Sequence, residues 1–253
     1  MIFRLDEVPD NGDGRLFAVE IPAASPLFAG HFPGHPILPG VAQLALVERV
    51  LGPLSGVRNV KLRRPVSPGD RLDLRVSGLR EDGTARFELN QDGEMVSNGT
   101  VLTSREATGT EPFPAREGES LAADLLPHAH PARLVRSVIE ASEDAIVCAA
   151  EVPPDHPLVV DGRFPAFLGV EAAAQAAAVL EALGRRDREP GPRIGYLVGI
   201  RDARFAFPAL PAGRSFEVTA RLQGGAFPLS IYEVTAAGAV TGVISTYIST
   251  RGE

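Results

Sequence analysis

The stretch GHFPGHPILPG, from Gly30 to Gly40, places two histidines among three prolines and three glycines. Proline fixes the backbone angle φ and glycine permits turns that other residues avoid, so this composition predicts a rigid loop. The apolar run GVAQLALVERVLG begins at Gly40 and predicts a helix. Because the ordinary pKa of histidine lies near neutral pH, a histidine held in such a loop suits acid–base chemistry. On composition alone, simple packing of the His31 ring in this loop is the favoured interpretation, and a role as a base depends on the motif discussed below.

Length, charge and cysteine content narrow the class of protein. The chain has 253 residues, enough for one large domain or two smaller ones with separate cores. A net charge of −7 argues against nucleic acid as a partner, because phosphate binding needs a concentrated positive surface. Cys148 is the only cysteine, so no internal disulfide can form. No leader-like or membrane-spanning apolar run is found, and we expect a cytoplasmic protein without membrane contact.

The same order of patterns occurs twice along the chain. A helix pattern, GVAQLALVERVLG and then GVEAAAQAAAVLEALG, precedes an alternating strand pattern, RLDLRVSGL and then SFEVTARL, in which Leu222 is expected to be buried. Between the repeats, SREATGTEPFPAREGES lacks an apolar period and predicts a linker. We predict an α+β protein with a first unit over residues 1–105, a linker over 106–120 and a second unit over 121–253. Chance similarity of two small α+β domains is the alternative.

Four segments carry a resemblance to a known family. GHFPGHPILPGV resembles the signature of the 3-hydroxyacyl-[acyl-carrier-protein] dehydratases, and KLRRPVSPGDRLDL resembles the strand segment after that family's central helix. In the second half, LLPHAHPARLVRSVIE resembles the opening of such a subunit and GVEAAAQ its central-helix motif. The two halves look like the paired dehydratase subunits of aryl-polyene-type pathways, joined in one chain. The resemblance implies a double hotdog, two curved antiparallel sheets each wrapped around a central helix, paired as an intramolecular pseudo-dimer.

The resemblance also implies a reaction, the dehydration of a 3-hydroxyacyl thioester to a trans-2-enoyl thioester. That reaction needs a base for a C2 proton, an acid for the departing hydroxyl, and donors to the thioester oxygen. His31 is the expected base. A carboxyl group in an apolar pocket suits the acid, because desolvation raises its pKa. Amides at a helix start suit the thioester oxygen, and the candidates are Gly40, Val41 and Ala166.

In this family each site takes its histidine from one unit and its acid from the other. The family's acid position, 14 residues after His31, is occupied by Ala45. Glu48 lies about 4.5 Å further along a helix, too far for an efficient substitute. Glu171 in GVEAAAQ matches the acid position of the second half, and Gln175, one turn later, is a candidate substrate-binding residue. We therefore predict one complete site from His31 and Glu171, with an exposed helix-edge glutamate as the alternative.

The opposite pairing is expected to be incomplete, because it would combine His156 with Ala45 and lack an acid. We expect one working site per chain, with no metal and no cofactor. A zinc ion bound by His31 and His35 is a minor alternative, because the proline and glycine between them prevent a shared helix face. His128 and His130 are expected in a turn that opens the second unit.

The expected partner is an acyl carrier protein that bears a phosphopantetheine-linked 3-hydroxyacyl chain, or a coenzyme A thioester in its place. The basic residues Arg58, Lys61, Arg63 and Arg64 could dock an acidic carrier, and the solvated side of a strand is the alternative. Further assembly into a homo-oligomer stays open. Two other functions stay open as well: an acyl thioesterase on the same scaffold, and a non-catalytic partner that binds acyl thioesters.

Overall fold

The computed structural model describes residues 2–9, 12, 14–104, 115–120, 125–185 and 193–249. Its helices are α1 (Ala42–Leu51) and α2 (Leu168–Arg185), and a short 3-10 turn covers Pro26–Phe28. The strands are β1 (Arg4–Val8), β2 (Arg15–Glu20), β3 (Leu54–Leu62), β4 (Arg71–Val76), β5 (Thr84–Gln91), β6 (Glu94–Thr103), β7 (Glu119–Ser120), β8 (Val135–Ala141), β9 (Ala145–Glu151), β10 (Arg163–Pro165), β11 (Gly195–Phe205), β12 (Ala209–Pro211), β13 (Ser215–Ala226), β14 (Leu229–Ala236) and β15 (Val240–Ile248).

Thirteen of these strands form one sheet, in the order β1-β2-β4-β5-β6-β3-β11-β15-β14-β13-β9-β8-β7. The remaining two, β10 and β12, pair with each other. Outward from the centre, the order β3-β6-β5-β4-β2 on one side corresponds to β11-β15-β14-β13-β9 on the other. The helix α1 precedes β3, and α2 precedes β11. The two halves thus share one strand order, as the sequence predicts for a duplicated α+β unit.

The halves meet where β3 pairs antiparallel with β11. Val60 lies opposite Ile200, and Val57 lies opposite Ala203. At Gly56 the two main chains approach closely, because a Cβ there would lie 2.6 Å from the carbonyl oxygen of Ala203. Only glycine fits this position without displacing the backbone. The pairing makes the sheet continuous from one half to the other.

Both helices occur where the apolar patterns predict them. α2 is buried along most of its length and packs against β8, β9, β13, β14 and β15. Gly169 permits a close approach, because a Cβ there would lie 2.9 Å from Cγ2 of Val240. α1 is shorter, packs against β4, and ends at Gly52, whose φ of 88° lies in the region that favours glycine. Within the described ranges, neither helix has the length and hydropathy that crossing a bilayer requires.

The alternating patterns give half-buried strands, with one exception. In β4 the leucines and the valine are buried and alternate with more exposed polar residues, as predicted. In β13 the same alternation holds from Phe216 to Ala220. Leu222, however, is 39% exposed, so its predicted burial is wrong. The pairing of β13 with β9 ends one residue earlier, and β13 bulges directly after Leu222, which turns this side chain away from the core.

The predicted linker is partly attached to the second half. Residues 105–114 lie outside the described ranges. Glu119 and Ser120 form β7, which pairs with β8 at the end of the sheet. Arg116 forms ion pairs with Glu140 at 2.7 Å and with Glu217 at 2.6 Å. Main-chain pairing and ion pairs hold this segment, and buried apolar side chains are not needed. This explains how a segment without an apolar period can still be attached to the sheet. The predicted unit boundaries stay a prediction.

Candidate active site

His31 lies in the loop between the 3-10 turn and α1, and the loop fixes its ring. The amide of Ile37 donates to the carbonyl oxygen of His31 across 2.8 Å, which closes the loop. Nδ1 of His31 lies 3.0 Å from the carbonyl oxygen of Ile37. Because a carbonyl oxygen only accepts, Nδ1 carries the proton and Nε2 keeps its lone pair. The rigid loop therefore presents a proton-accepting nitrogen.

Glu171 lies in the first turn of α2 and reaches His31 from the other half of the chain. Nε2 of His31 is 3.9 Å from Oε1 of Glu171, although the residues are 140 positions apart in sequence. Both side chains are buried. This separation lets one substrate atom or one water molecule contact both groups. The structure thus brings together the two side chains that the sequence nominates as base and acid.

His128 is a third member of this cluster. Nε2 of His128 lies 3.7 Å from Oε1 of Glu171. Its buried ring packs edge-on against Phe32, with centroids 4.7 Å apart, and lies 5.2 Å from the ring of His31. One ligand atom from each of His31, His128 and Glu171 lies within 4.8 Å of the others, so these three side chains are also the residues that could together hold a metal ion. Sequence reasoning assigned His128 only to a turn, and the available signal was the resemblance of LLPHAHP to a subunit opening.

Burial and the neighbouring groups of this cluster shift the pKa values of His31 and Glu171. The pKa of His31 is lowered to about 4, chiefly by burial and also by His128, while Glu171 opposes the shift. Burial raises the pKa of Glu171, but His128, His31 and Gln175 outweigh it, and this pKa lies below its ordinary value. At neutral pH the resting site therefore holds a neutral His31 and an ionised Glu171. The expectation that burial keeps this carboxyl protonated is wrong, because two imidazoles and an amide surround it.

Gln175 is predicted to bind the substrate, but its side chain makes structural hydrogen bonds within the protein. Its Oε1 accepts from the amides of Leu134 at 2.8 Å and Val135 at 3.3 Å. Its Nε2 donates to the carbonyl oxygen of Ala132 at 2.8 Å and to Oε1 of Glu171 at 3.3 Å. The side-chain amide is therefore fully engaged within the protein. It orients the carboxylate one helical turn away and ties α2 to the start of β8.

The two helix starts differ in their available amides. In the part of the chain that the structure describes, the amides of Gly40 and Val41 have no hydrogen-bond acceptor. Gly40 lines the same cavity as His31, whereas Val41 is fully buried. The amide of Ala166 donates to the carbonyl oxygen of Pro208 at 3.1 Å, so it cannot also serve a substrate. The start of α1 is thus the better place for a thioester oxygen, and the candidacy of Ala166 is not supported.

A cavity of about 490 Å³ joins these groups. It runs from His31 and Glu171 along one face of α2 to Glu181, ten residues further on, past the small side chains of Ala174 and Ala178. The ends of β3 and β15 and the start of β11 form the opposite wall, and the exposed Arg63 lies at the rim. The cavity has apolar side chains along α2 and polar groups at both ends, with His31 and Glu171 at one and Glu181 and Arg193 at the other, so an acyl chain along α2 would lie next to the reacting centre.

His156 does not occupy a separate second site. It lines a small cavity together with His31, Leu168 and Glu171. Ala45, its expected counterpart, lies in the apolar core with 8% exposure. Burial lowers the pKa of His156 to about 4, and Nδ1 of its ring accepts from the amide of Leu158 at 3.2 Å. This local turn places His156 in the same small cavity as Glu171. The expected pairing of His156 with Ala45 is therefore wrong.

Two alternatives from the sequence are not supported. Glu48 lies at the end of α1, where its Oε2 accepts from the amide of Leu54 at 3.1 Å and burial raises its pKa to about 6. That contact is structural and lies outside the residues that line the large cavity. His35 is exposed and is absent from the cluster around His31, which removes the basis for a zinc ion held by those two histidines.

Comparison with known families assigns both halves. Residues 120–250 match the ApeP-like family (ApeP dehydratase), and residues 9–100 match the ApeI-like family (ApeI dehydratase). The 3-hydroxyacyl-[acyl-carrier-protein] dehydratase FabZ of Mannheimia succiniciproducens is 32% identical over 121 residues, which cover 40% of this chain and 81% of that protein. FabZ of Thermomicrobium roseum is 35% identical over 94 residues, which cover 30% of this chain and 63% of that protein.

Solved structures match nearly the whole chain. The dehydratase domain of RzxB from Pseudomonas fluorescens has a TM-score of 0.65 at 14% identity, covering 96% of each chain. The dehydratase domain from the CurH module of Curacin polyketide synthase has a TM-score of 0.65 at 12% identity, covering 96% of this chain and 95% of that one. With the single large antiparallel sheet and the two helices, this likeness shows the double hotdog fold that the sequence predicts.

Proposed function

Because this chain belongs to the ApeP-like dehydratases and is related to the FabZ 3-hydroxyacyl-[acyl-carrier-protein] dehydratases, we propose that it converts 3-hydroxyacyl thioesters to trans-2-enoyl thioesters at one composite site. The observation that carries the proposal is the 3.9 Å separation of His31 Nε2 from Glu171 Oε1, contributed by opposite halves. One half supplies the base and the other supplies the acid, so each depends on the other.

The chemical steps follow from the geometry. Nε2 of the neutral His31 removes a proton from C2 of the substrate, and the electrons of that C–H bond form the C2–C3 double bond. Glu171, which is ionised at rest, must first take up a proton; the hydroxyl takes that proton as the C3–O bond breaks and leaves as water. The amide of Gly40, at the positive end of α1, donates to the thioester oxygen as charge develops there. Ala174 and Ala178 leave room along α2 for the acyl chain.

We propose an acyl carrier protein as the substrate's carrier, with coenzyme A as the alternative thiol. The FabZ relatives are named for carrier-bound substrates. Support within this chain comes from the exposed Arg63 at the cavity rim and the exposed Lys61 two residues before it, since an acidic carrier would be attracted to them. Arg64 and Arg58 are partly neutralised, by Glu94 and Asp202 respectively.

The proposal extends to the arrangement around each helix. We propose that each half of the sheet curves around its own helix, as in a hotdog unit, and that the units form a pseudo-dimer within the chain. Support comes from the contacts of α2 with five strands of its own half. The unit boundaries near residues 105 and 121 belong to the same proposal.

The test is a product assay with purified protein and a 3-hydroxyacyl thioester. His31→Ala and Glu171→Gln should each lower the rate by at least about 100-fold, the range expected when a general acid or base is removed. Glu48→Gln is the matched control, because it keeps an acceptor for Leu54 and lies away from the cavity, and it should keep the wild-type rate.

Three outcomes would contradict the proposal. Full activity of the Glu171→Gln variant would exclude the composite site. Release of free thiol in place of water would identify a thioesterase, whose carboxylate activates water. Tight binding of an acyl-pantetheine compound without turnover by the wild-type protein would identify a non-catalytic partner.

A further inference from the structure

Dehydration requires one proton for the departing hydroxyl, and the site must hold that proton before the substrate reacts. His31 cannot supply it, because its Nε2 is the base. We propose that His128 is a positioning residue that stores this proton and passes it through Glu171 to the departing hydroxyl. This inference rests on the proposed dehydration. It assigns a role to His128, which has none in a mechanism built from His31 and Glu171 alone.

The placement of the His128 ring supports this part. Nε2 faces Oε1 of Glu171 at 3.7 Å, and the side chain is only 7% exposed. Nδ1 is buried and has no hydrogen-bond partner in the described residues. An unsatisfied buried nitrogen is unfavourable, and an apolar ring of similar size would avoid that cost. Such a cost in a buried position indicates a function that needs an imidazole.

Groups from three different segments lie around the ring of His128. Oε1 of Glu171, on α2, lies 3.7 Å from Nε2 of His128. His31 approaches from its loop, and repulsion by His128 is one of the causes that lower the pKa of His31. The guanidinium of Arg133 contacts the main chain of this segment, donating to the carbonyl oxygen of His128 at 3.0 Å.

The proton movements balance over one turnover. Glu171, ionised at rest, receives a proton from Nε2 of His128 and passes it to the oxygen as the C3–O bond breaks. The C2 proton meanwhile resides on Nε2 of His31. After water and product leave, that proton returns to the pair of Glu171 and His128 across the gaps of 3.9 and 3.7 Å. The site is then restored without any external acid.

The experiment compares His128→Asn, His128→Ala and the control His130→Asn in the full chain. His130 lies in the same segment, but it is exposed and contacts Asp155 at 2.6 Å, away from the cavity. We measure kcat and KM for a 3-hydroxyacyl thioester across the pH range, with thermal melting as a check on folding. The His128→Ala variant is also assayed with added imidazole.

Removal of His128 should lower kcat by about 100-fold or more while KM changes little, because the ring acts on the reaction and does not bind the substrate. The fall of the wild-type rate at alkaline pH should disappear in the His128→Asn variant, and imidazole should restore part of the rate to His128→Ala. A purely structural part would give neither effect. A kcat for His128→Asn within about threefold of wild type, or an unchanged pH profile, would overturn the inference while leaving the pair of His31 and Glu171 intact. An inactive wild-type protein would instead contradict the proposed function.

Discussion

The amide of Ala129 donates to the carbonyl oxygen of Gly30 across 2.9 Å, which joins the loop of His31 to the segment of His128. Gly30 has a φ of 76°, and a Cβ at this position would overlap the carbonyl oxygen of Ala129. The glycine that precedes one histidine thus allows the main chain next to the other histidine to approach. The separation of the two rings depends on this contact.

Gly30→Ala should therefore lower both stability and activity. Gly34→Ala is a matched control, because Gly34 has a φ of 77° but nothing within 4 Å of the added Cβ. The control should lose only about 1 kcal/mol of unfolding free energy from backbone strain. Gly30→Ala should lose about 1–3 kcal/mol more from the overlap, and kcat should fall. Urea denaturation and the dehydration assay measure the two effects. Equal losses in the two variants would show that the contact with Ala129 is unimportant.

Gln175→Leu should destabilise the protein strongly. The change leaves the buried amides of Leu134 and Val135 without an acceptor and releases Glu171. We expect a loss of about 2–4 kcal/mol in the free energy of unfolding, together with reduced kcat. Gln43→Leu is the comparison: among the described residues, Oε1 of Gln43 is buried without a partner, so its removal should cost little stability. Denaturant titrations of both variants test this difference, and a reversed order would contradict the assigned part of Gln175.

The stability of the protein should fall as the solution becomes more acidic. The pKa values of His31 and His156 are lowered from 6.5 to about 4, chiefly by burial. Between these values the two histidines bind protons in the unfolded chain but not in the native protein, so they favour unfolding as the pH falls; below about pH 6 Glu48, whose pKa is raised, binds a proton in the native protein and offsets one of them. Each proton contributes a slope of about 1.4 kcal/mol per pH unit.

Urea titrations between about pH 7 and about pH 5 test this dependence. His156→Asn should reduce the slope while keeping an acceptor near the amide of Leu158. An unfolding free energy that stays constant over this range would contradict the buried, neutral state of the histidines.

Periodicity and motif spacing predict much of this fold. The apolar runs that begin at Gly40 and Gly169 become α1 and α2, and the alternating leucines of β4 face the core. These features depend on contacts close in sequence, or on a burial pattern that repeats along one element. The position of Leu222 was predicted wrongly, because its exposure depends on where the neighbouring strand β9 ends.

The sequence predicts only part of the site, because local motifs identify some of its residues and long-range contacts position the others. The loop motif identifies His31, and the helix motif identifies Glu171. The burial of His128 arises from the contact between Gly30 and Ala129, about 100 positions apart in sequence, and no local pattern reports such a contact. The hydrogen bonds of Gln175 likewise depend on the return of the chain at Leu134. Long-range packing therefore decides which polar residues take part in the reaction and which hold the reacting side chains in place.

The pairing of β3 with β11 has a consequence for how the two halves stay together. Separated, each half would present a bare strand edge, ready to join another copy of itself. Two copies of the first half would bring together bases without acids, and two copies of the second half would bring together acids without the rigid base loop. Covalent linkage keeps the halves at equal stoichiometry and favours the unlike pairing, the one combination that assembles both partners of the reaction.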